Sequence, residues 1–171
     1  MFVVIPIKTP RDDNMEHAYL SQSLADTHKL GERFVKSIPA GTAVALVGTL
    51  GAGKTAFVQG VGIASGIAAN SVTSPTFVLC NEYVGTQSIY HLDAYRLADS
   101  DEFSQLGPEE MYQSKHYVFI EWADRVLNCL PREYITIQIN IESHDSRLFL
   151  VNSTGTLEQK VQKWMDSISN E

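Results

Sequence analysis

One stretch of the chain constrains its fold more than any other: a buried-type strand, a glycine-rich loop and a helix that follow each other directly. Residues 42–48, TAVALVG, form an apolar and partly β-branched run that is typical of a strand buried on both faces. The loop Gly48–Thr55, GTLGAGKT, matches G-x-x-x-x-G-K-[ST] at every fixed position, and residues 54–66 have a helical composition ending at a glycine. This order predicts a loop that holds the phosphates of a nucleotide.

Each residue type in this loop has a chemical reason. Glycines let the backbone curl so that its N–H groups form a nest for an anion, and the positive end of the following helix adds to the attraction. The Lys54 ammonium is placed to reach the outer phosphates, and the Thr55 hydroxyl is placed to bind a magnesium ion. Nucleotide binding is therefore the firmest functional prediction from these residues.

Two acidic residues end apolar strands further along the chain. Glu121 closes the run YVFIE, and Asp93 closes the run IYHLD. Besides the hydroxyl of the loop, the magnesium ion needs a carboxylate as a second ligand, at the end of a neighbouring strand. Taken alone, either acid is equally consistent with a half-exposed strand end, but the two together favour function. We assign magnesium coordination to Glu121 and the alignment of water or metal to Asp93.

The spacing alone leaves the roles of three other residues open. Thr76, in the turn Ser74-Pro75-Thr76, is either a sensor of the outermost phosphate or part of a proline-stiffened turn. Trp122 directly follows Glu121, and a core tryptophan is the more common role for such a residue than contact with a nucleotide. His91 alternates with the apolar residues of its strand, which favours a structural, hydrogen-bonded histidine over a ligand.

Composition limits the classes of protein that fit. The 171 residues are 44% hydrophobic and 19% charged, with no apolar run near the roughly 20 residues of a membrane span. The two cysteines have no metal or redox spacing, so we expect buried thiols in a cytoplasmic protein without a membrane partner. The net charge of −7 and the lack of a basic cluster argue against direct tRNA or other nucleic-acid contact by this chain.

The remaining patterns predict strands alternating with helices, and hence an α/β layer fold with a mainly parallel sheet and late antiparallel pairs. Strands are predicted at FVVIPI, 42–48, 76–85, 87–96, 116–122, 134–143 and 147–153. Helices are predicted at 17–38, 54–66, 99–107, 108–114 and 123–130, and a last helix after a capping box of Thr156 and Gln159.

A set of motifs adds a family resemblance. GTLGAGKT, VTSPTFVLCNEY, YHLDAYRL, LGPEEMY and FIEWADRVLNCLP, in this order, resemble the TsaE family, also called YjeE. The resemblance implies a P-loop NTPase fold, with a mainly parallel twisted sheet of about seven strands flanked by helices, as a single ATPase domain over residues 1–171. It also implies a slow cytoplasmic ATPase that uses ATP and Mg²⁺ and resets the TsaB–TsaD complex during threonylcarbamoyladenosine modification of tRNA.

The resemblance also implies roles for individual residues. Hydrolysis is assigned to Thr76, Asp93 and Glu121, and magnesium binding to Thr55 and Glu121. The expected nucleotide contacts are Leu24, Leu50, Gly51, Ala52, Gly53, Lys54, Thr55, Trp122 and Arg147. Two positions depart from the family pattern: Thr49 stands where an acid is usual, and Ala94 stands where leucine is common.

Two other functions compete with the switch ATPase: a P-loop kinase of small molecules, and a module that binds nucleotide without turnover. A kinase usually has a mobile lid rich in arginine. The segment 97–115, where a lid would lie, has five acids and only one base, Lys115. This acidity argues against a phosphoryl-transfer lid and suits a surface that meets a basic partner. A pure binding module would not need Thr76, Asp93 and Glu121 together.

Overall fold

The fold is organised around a strand whose five residues, Ala43–Val47, are all buried. The computed structural model describes residues 16–68 and 70–169. The strands are β1 (His17–Ser21), β2 (Ala43–Val47), β3 (Cys80–Tyr83), β4 (Ile89–Asp93), β5 (Tyr117–Glu121), β6 (Tyr134–Ile141) and β7 (Arg147–Ser153). The α-helices are α1 (Leu24–Ser37), α2 (Lys54–Ala64), α3 (Ser100–Ser104), α4 (Pro108–Gln113) and α5 (Glu158–Ser169).

The strands form one 7-stranded sheet in the order β1-β7-β6-β2-β5-β4-β3. The pairings β6–β2, β2–β5 and β5–β4 at its centre are parallel, whereas β1–β7, β7–β6 and β4–β3 are antiparallel. The sheet is therefore mixed, with its parallel part around β2. This confirms the predicted α/β class, the sheet of about seven strands and the late antiparallel pair. The sheet was predicted to be mainly parallel, whereas the described pairings divide evenly between parallel and antiparallel.

Parallel register brings the ends of three strands to one edge of the sheet. Asp93 at the end of β4 is the register partner of Glu121 at the end of β5, and Glu121 is also the partner of Leu46 in β2. The glycine loop leaves β2 at this same edge. Ligands in such sheets bind outside the carboxyl ends of the strands, so the topology places both acids beside the loop.

Alternation along β2 divides the core into two layers. Val44 and Leu46 face a cluster with residues of α1, α2 and α5, whereas Ala43, Ala45 and Val47 face a smaller cluster that contains Phe103 of α3. The larger cluster is rich in aromatic rings: Phe34 meets Trp164 edge to face, with 5.2 Å between ring centroids. The described residues contain no helix long and apolar enough to cross a membrane.

Two glycines let α1 and α2 approach closely. A Cβ atom on Gly31 would lie 2.6 Å from the Phe57 carbonyl oxygen, and one on Gly60 would lie 2.3 Å from the His28 carbonyl oxygen. Real Cβ atoms do not come this close to backbone, so only glycine fits at either position. Because α2 begins with Lys54, this contact also fixes the direction of the helix that follows the glycine loop.

The start of the predicted helix 17–38 is wrong. Residues His17–Ser21 form a strand that pairs antiparallel with β7, and the helix begins only at Leu24. Ser23 caps it, because the Ser23 side chain accepts a hydrogen bond from the Asp26 backbone N–H. Leu20 and Leu24 share helical spacing by coincidence, and both are largely exposed. The strand predicted at FVVIPI lies outside the described residues.

Three smaller predictions also need correction. The strand predicted from residue 76 begins at Cys80, because residues 76–79 turn back so that the Leu79 N–H donates to the Pro75 carbonyl. The helix predicted over 123–130 is two 3₁₀ turns, Ala123–Arg125 and Leu127–Cys129. The predicted capping box is replaced by a different contact: Thr156 donates its N–H and hydroxyl to the Glu133 carboxylate, and α5 begins at Glu158.

The cysteines also differ from expectation. Cys80 and Cys129 are half-buried free thiols and not core residues. Each occupies the boundary of a cluster whose buried members are other side chains.

Substitution Gly60→Ala tests the close helix contact. The added methyl group must push α2 from the His28 backbone, so we expect a loss of unfolding free energy of about 1–3 kcal/mol, as for overpacked cores. Urea unfolding followed by circular dichroism measures it. Lys36→Ala, on the exposed side of α1, is the control and should change stability by less than about 0.5 kcal/mol. Equal stability of Gly60→Ala and the native chain would contradict the packing described here.

Candidate functional site

The glycine loop adopts a conformation that only glycine allows at several points. Gly51 and Gly53 have φ values of 77° and 106°, in the left-handed region. At Gly48 the limit is space, since a Cβ atom would lie 2.6 Å from the Ile139 carbonyl oxygen of β6. The Ala52 N–H closes a turn on the Thr49 carbonyl. The loop thus curls over the start of α2, as an anion nest requires.

Lys54, the first residue of α2, is buried beneath this loop. Its Nζ donates to the Gly48 and Thr49 carbonyls at 2.7 and 3.0 Å, and it lies 4.0 Å from the ring centroid of Trp122. Burial lowers the pKa of the Lys54 ammonium below its usual value, although neighbouring carboxylates, Glu121 first among them, oppose this shift. The ammonium therefore lies against the glycine loop, and the carbonyls that it contacts are groups that a phosphate can replace.

Thr55 and Glu121 form the contact between the loop and the sheet. The Thr55 hydroxyl donates to Glu121 Oε1 at 2.6 Å, which joins the first turn of α2 to the last residue of β5. His91 Nε2 lies 2.8 Å from the same oxygen. Glu121 is buried, and burial alone would raise the pKa of its carboxyl group. The hydrogen bonds and charge of His91, the Thr55 hydroxyl and the Lys54 ammonium outweigh burial and hold that pKa below its usual range.

A second hydroxyl–carboxylate pair lies at the end of β4. Thr76 Oγ1 donates to Asp93 Oδ2 at 2.8 Å, and Ser74 Oγ lies 2.7 Å from Thr76 Oγ1. The Tyr95 backbone N–H donates to the other oxygen, Asp93 Oδ1, at 2.7 Å. Asp93 is buried and has both oxygens bonded. The turn Ser74-Pro75-Thr76 is thus tied to the same edge of the sheet as Glu121.

Trp122 has an unusual backbone. Its φ of 58° is left-handed, and among the described residues only Leu79 shares this feature outside glycine. The turn directs the half-buried indole beneath Lys54 and against Tyr95, with 4.8 Å between ring centroids. A non-glycine residue in this region stores strain of order 1–3 kcal/mol, and such strain concentrates at functional sites. Trp122 therefore lies at the glycine loop, partly buried against the smaller core cluster.

Arg147 contacts the loop from the opposite side. Its Nε donates to the Ala52 carbonyl at 3.1 Å, and its Nη1 donates to the carbonyls of Ser143, His144 and Ser146. The guanidinium thus fastens the turn between β6 and β7 to the glycine loop. A cavity of about 140 Å³ opens beside it, with Leu24, Gly53 and Arg147 among its lining residues.

The structure brings most of the expected site residues into two contact groups and a cavity. Lys54, Thr55, Glu121 and Trp122 form one group, whereas Thr76 and Asp93 form another at the neighbouring strand end. The cavity beside Gly53 brings in Leu24 and Arg147, which are distant in sequence. Gly51 and Ala52 accept from Arg147 through their carbonyls. Leu50 is 83% exposed at the tip of the loop.

The two departures from the family motif differ in their surroundings. Thr49 is exposed, and its backbone carbonyl, which any residue would supply, makes the contact with Lys54. Ala94 is fully buried and donates its N–H to the Glu121 carbonyl. Neither change alters the contacts of Lys54, Thr55 or Asp93.

Sequence reasoning missed two parts of this site. The carbonyls of the β6–β7 turn, which hold Arg147, have no side-chain signature in a sequence. The contact of His91 with Glu121 was also missed as part of the site. A signal for it existed, because His91 and Asp93 are two apart in one strand and therefore share a face of the sheet.

The described residues contain no group of three or more His, Cys, Asp or Glu side chains that could hold a metal ion. The oxygen donors at the loop are instead one hydroxyl, of Thr55, and one carboxylate, of Glu121. Magnesium in phosphate sites often takes only one or two protein ligands and completes its octahedron with phosphates and water. This donor pair fits such an ion and does not fit a metal held by protein alone.

The curled glycine loop between a buried central strand and a helix, with Lys54 beneath it and acids ending the adjacent strands, defines a P-loop protein of the α/β class. Residues 21–149 match the family described as "Threonylcarbamoyl adenosine biosynthesis protein TsaE". The chain therefore belongs to the TsaE family.

Individual relatives agree with this assignment. The chain is 37% identical over 128 residues to the tRNA threonylcarbamoyladenosine biosynthesis protein TsaE of Treponema pallidum, covering 75% of this chain and 94% of that one. It is 34% identical over 146 residues to the TsaE protein of Bacillus subtilis, covering 83% and 89%. The crystal structure of Bacillus subtilis YdiB superposes with a TM-score of 0.75 at 25% identity, covering 91% of this chain and 97% of that one.

Substitution Lys54→Met separates the role of the ammonium from its effect on stability. We expect loss of the thermal stabilisation by ATP, because the cation that meets the outer phosphates is gone. The unfolding free energy without nucleotide should stay within about 1 kcal/mol of the native chain, since the lost hydrogen bonds are offset by relief of a buried charge. Differential scanning fluorimetry and urea unfolding measure the two effects.

The same variant has a predicted pH dependence. Because the folded-state pKa of Lys54 lies below its unfolded value, burial of the charge costs the native chain stability at neutral pH, and this cost fades as pH rises towards 10.5. Lys54→Met should therefore lose stability relative to the native chain as pH rises. Lys36→Met, an exposed lysine of α1, serves as control. Retained stabilisation by ATP in Lys54→Met would contradict the role given to the ammonium.

Proposed function

We propose that the chain is a Mg²⁺-dependent ATPase that serves the threonylcarbamoyladenosine modification of tRNA. The observation that carries the proposal is the pair of hydroxyl–carboxylate contacts, Thr55–Glu121 and Thr76–Asp93, at the two strand ends beside Lys54. Binding of phosphate alone needs the loop and the lysine. Two further carboxylates, each buried and each bonded to a hydroxyl, supply what hydrolysis needs in addition.

Thr55 and Glu121 are the residues that would hold the magnesium ion. The ion would supply charge neutralisation at the outer phosphates when it is bound. Glu121 is already ionised and oriented before the nucleotide arrives, since its pKa is held down by its neighbours. Lys54 must exchange the Gly48 and Thr49 carbonyls for phosphate oxygens, so one set of hydrogen-bond acceptors replaces another.

Thr76 and Asp93 are assigned to the outermost phosphate. Asp93 has an acceptor oxygen on each side, bonded to Thr76 and to the Tyr95 N–H, so its carboxylate is fixed in direction. A carboxylate fixed in this way can align an attacking water. Thr76, in its short turn, can exchange Asp93 for a phosphate oxygen. Its state would then depend on whether that phosphate is present, which is the behaviour of a switch.

The nucleoside is assigned to the cavity beside Gly53. Leu24 supplies an apolar wall for a base, and Arg147 shapes the opposite wall through its bonds to loop and turn carbonyls. The Arg147 Nε and Nη1 donors are engaged by carbonyls, so its contribution is to the shape of the cavity.

The single ATPase domain predicted over residues 1–171 remains part of this proposal.

The proposed partners are TsaB and TsaD, and the proposed role is to reset their complex between cycles. The relatives are named for the same modification. The helices α3 and α4 carry acids in their first turns, Asp101 and Glu102 in one and Glu109 and Glu110 in the other. Such a surface suits a basic partner, and a chain with net charge −7 is better placed to contact protein than tRNA.

A phosphate-release assay with and without purified TsaB and TsaD tests this proposal. We expect slow release of phosphate from ATP by the chain alone, and release at least several-fold faster with both partners. Equal rates in both mixtures would contradict the switch. Phosphate transfer to a small molecule, with no free phosphate, would instead indicate a kinase. Binding of ATP with no turnover in either mixture would indicate a binding module.

Substitution Glu121→Gln tests the metal assignment. We expect Mg²⁺-dependent turnover to fall by about 100-fold or more, because the amide has no charge to offer the ion. ATP affinity in EDTA should stay within about threefold, since Lys54 and the loop are unchanged. The measurements are phosphate release and binding of a fluorescent ATP analogue. Glu82→Gln, on the edge strand β3, is the matched control and should leave turnover unchanged. Normal turnover in Glu121→Gln would transfer the metal assignment to Asp93.

A further inference from the structure

His91 is a buried titratable residue that the proposed reaction does not use. It lies in the middle of β4 with no exposed surface, and the Tyr83 ring packs near it at 6.2 Å between centroids. On the same face of the sheet, one strand away, lies Glu121. The imidazole therefore contacts the Glu121 carboxylate from the neighbouring strand.

The two ring nitrogens of His91 have unequal surroundings. Nε2 lies 2.8 Å from Glu121 Oε1, whereas Nδ1 is buried and has no hydrogen-bond partner among the described residues. An ionised carboxylate can only accept, so Nε2 carries a proton and donates it to Glu121. An apolar side chain would fill this space without leaving a buried nitrogen unpaired. Packing alone thus does not account for a histidine here, whereas the bond to Glu121 does.

The same oxygen of Glu121 accepts two hydrogen bonds, and only one of the two donors belongs to a residue that is assigned to the ion. The Thr55 hydroxyl, at 2.6 Å, belongs to a residue that is assigned to the magnesium ion, and its geometry can change when the ion binds through the hydroxyl oxygen. The His91 bond has no such competitor, because the imidazole is fully buried and water cannot reach it to take its place. The His91 bond therefore keeps the carboxylate in direction whether or not the Thr55 hydroxyl moves when an ion binds.

We infer that His91 is the positioning residue for Glu121: its Nε2–H holds the carboxylate towards Thr55 so that Mg²⁺ and nucleotide meet a ligand already in place. His91 does not touch the nucleotide or the ion. This inference rests on the proposed function. It adds a residue of β4 that orients a proposed magnesium ligand and so affects the affinity for nucleotide. Groups that orient a metal ligand commonly change metal affinity by 10–100-fold when they are removed.

Three substitutions at one position separate the hydrogen bond from packing. His91→Gln retains an N–H donor at about the distance of Nε2, so it should restore the bond. His91→Leu fills the space without a donor. His91→Asn retains an amide whose donor stands nearer the backbone, at about the place of Nδ1, and so it should not reach Glu121. Both His91→Leu and His91→Asn remove the hydrogen bond to Glu121, although the two new side chains differ in polarity.

The readout is the gain in nucleotide affinity that Mg²⁺ produces. Fluorescence anisotropy gives the Kd of a labelled, non-hydrolysable ATP analogue for each variant, in EDTA and in Mg²⁺. We expect all variants to match the native chain within about threefold in EDTA. In Mg²⁺, the native chain and His91→Gln should gain affinity, whereas His91→Leu and His91→Asn should lose about tenfold or more of that gain. Thermal unfolding identifies any variant that fails to fold, and the remaining variants still decide the matter.

A second background shows whether His91 acts through Glu121. In Glu121→Gln, the further change His91→Leu should have no additional effect on the gain from Mg²⁺. A native chain with no gain from Mg²⁺ would contradict the proposed function, and the inference with it. A native chain with the gain, retained in full by His91→Leu and His91→Asn, would overturn the inference alone. An effect of His91→Leu that persists unchanged in Glu121→Gln would also overturn it.

Discussion

The hydrogen bond from the Thr55 hydroxyl to the Glu121 carboxylate joins the two halves of this structure. Thr55 lies in the first turn of α2 and Glu121 ends β5, so one contact of 2.6 Å fixes the glycine loop against the parallel centre of the sheet. Glu121 is buried there as an ion, and it tolerates burial because hydrogen bonds and the Lys54 ammonium compensate it. The same compensation gives the carboxylate the charge and direction that a magnesium ligand needs.

Around this bond, three side chains make hydrogen bonds within the site: Lys54 to loop carbonyls, Thr55 to Glu121, and Thr76 to Asp93. Under the proposed function, these are the side chains that would meet the phosphates or the magnesium ion. The left-handed backbone of Trp122 places an indole beneath Lys54 at some cost in strain.

The sequence predicted the centre of the fold better than its margins. β2, the glycine loop and α2 follow from a continuous apolar run, a spaced motif and helical composition, and each of these signals is local. The strand His17–Ser21 was missed because its partner β7 lies more than a hundred residues away in the sequence. The exposed face of this strand also carries an apolar residue, Leu20, so the alternation typical of a strand was not visible in the sequence. In the site, Thr55 was predictable from the loop motif, and Asp93 and Glu121 were predictable from strand ends. The bonds from Arg147 to backbone carbonyls were not, because carbonyls are present at every position.

In the proposed function, Thr55 and Glu121 together bind a magnesium ion at the glycine loop. A crystal structure of the chain with Mg²⁺ and a non-hydrolysable ATP analogue tests it most directly. We expect one ion bonded to Thr55 Oγ1 at about 2.1 Å and to a Glu121 oxygen, directly or with one water between ion and carboxylate, with the phosphates completing its octahedron. An ion bound at Asp93 alone, with the Thr55–Glu121 hydrogen bond intact, would contradict it.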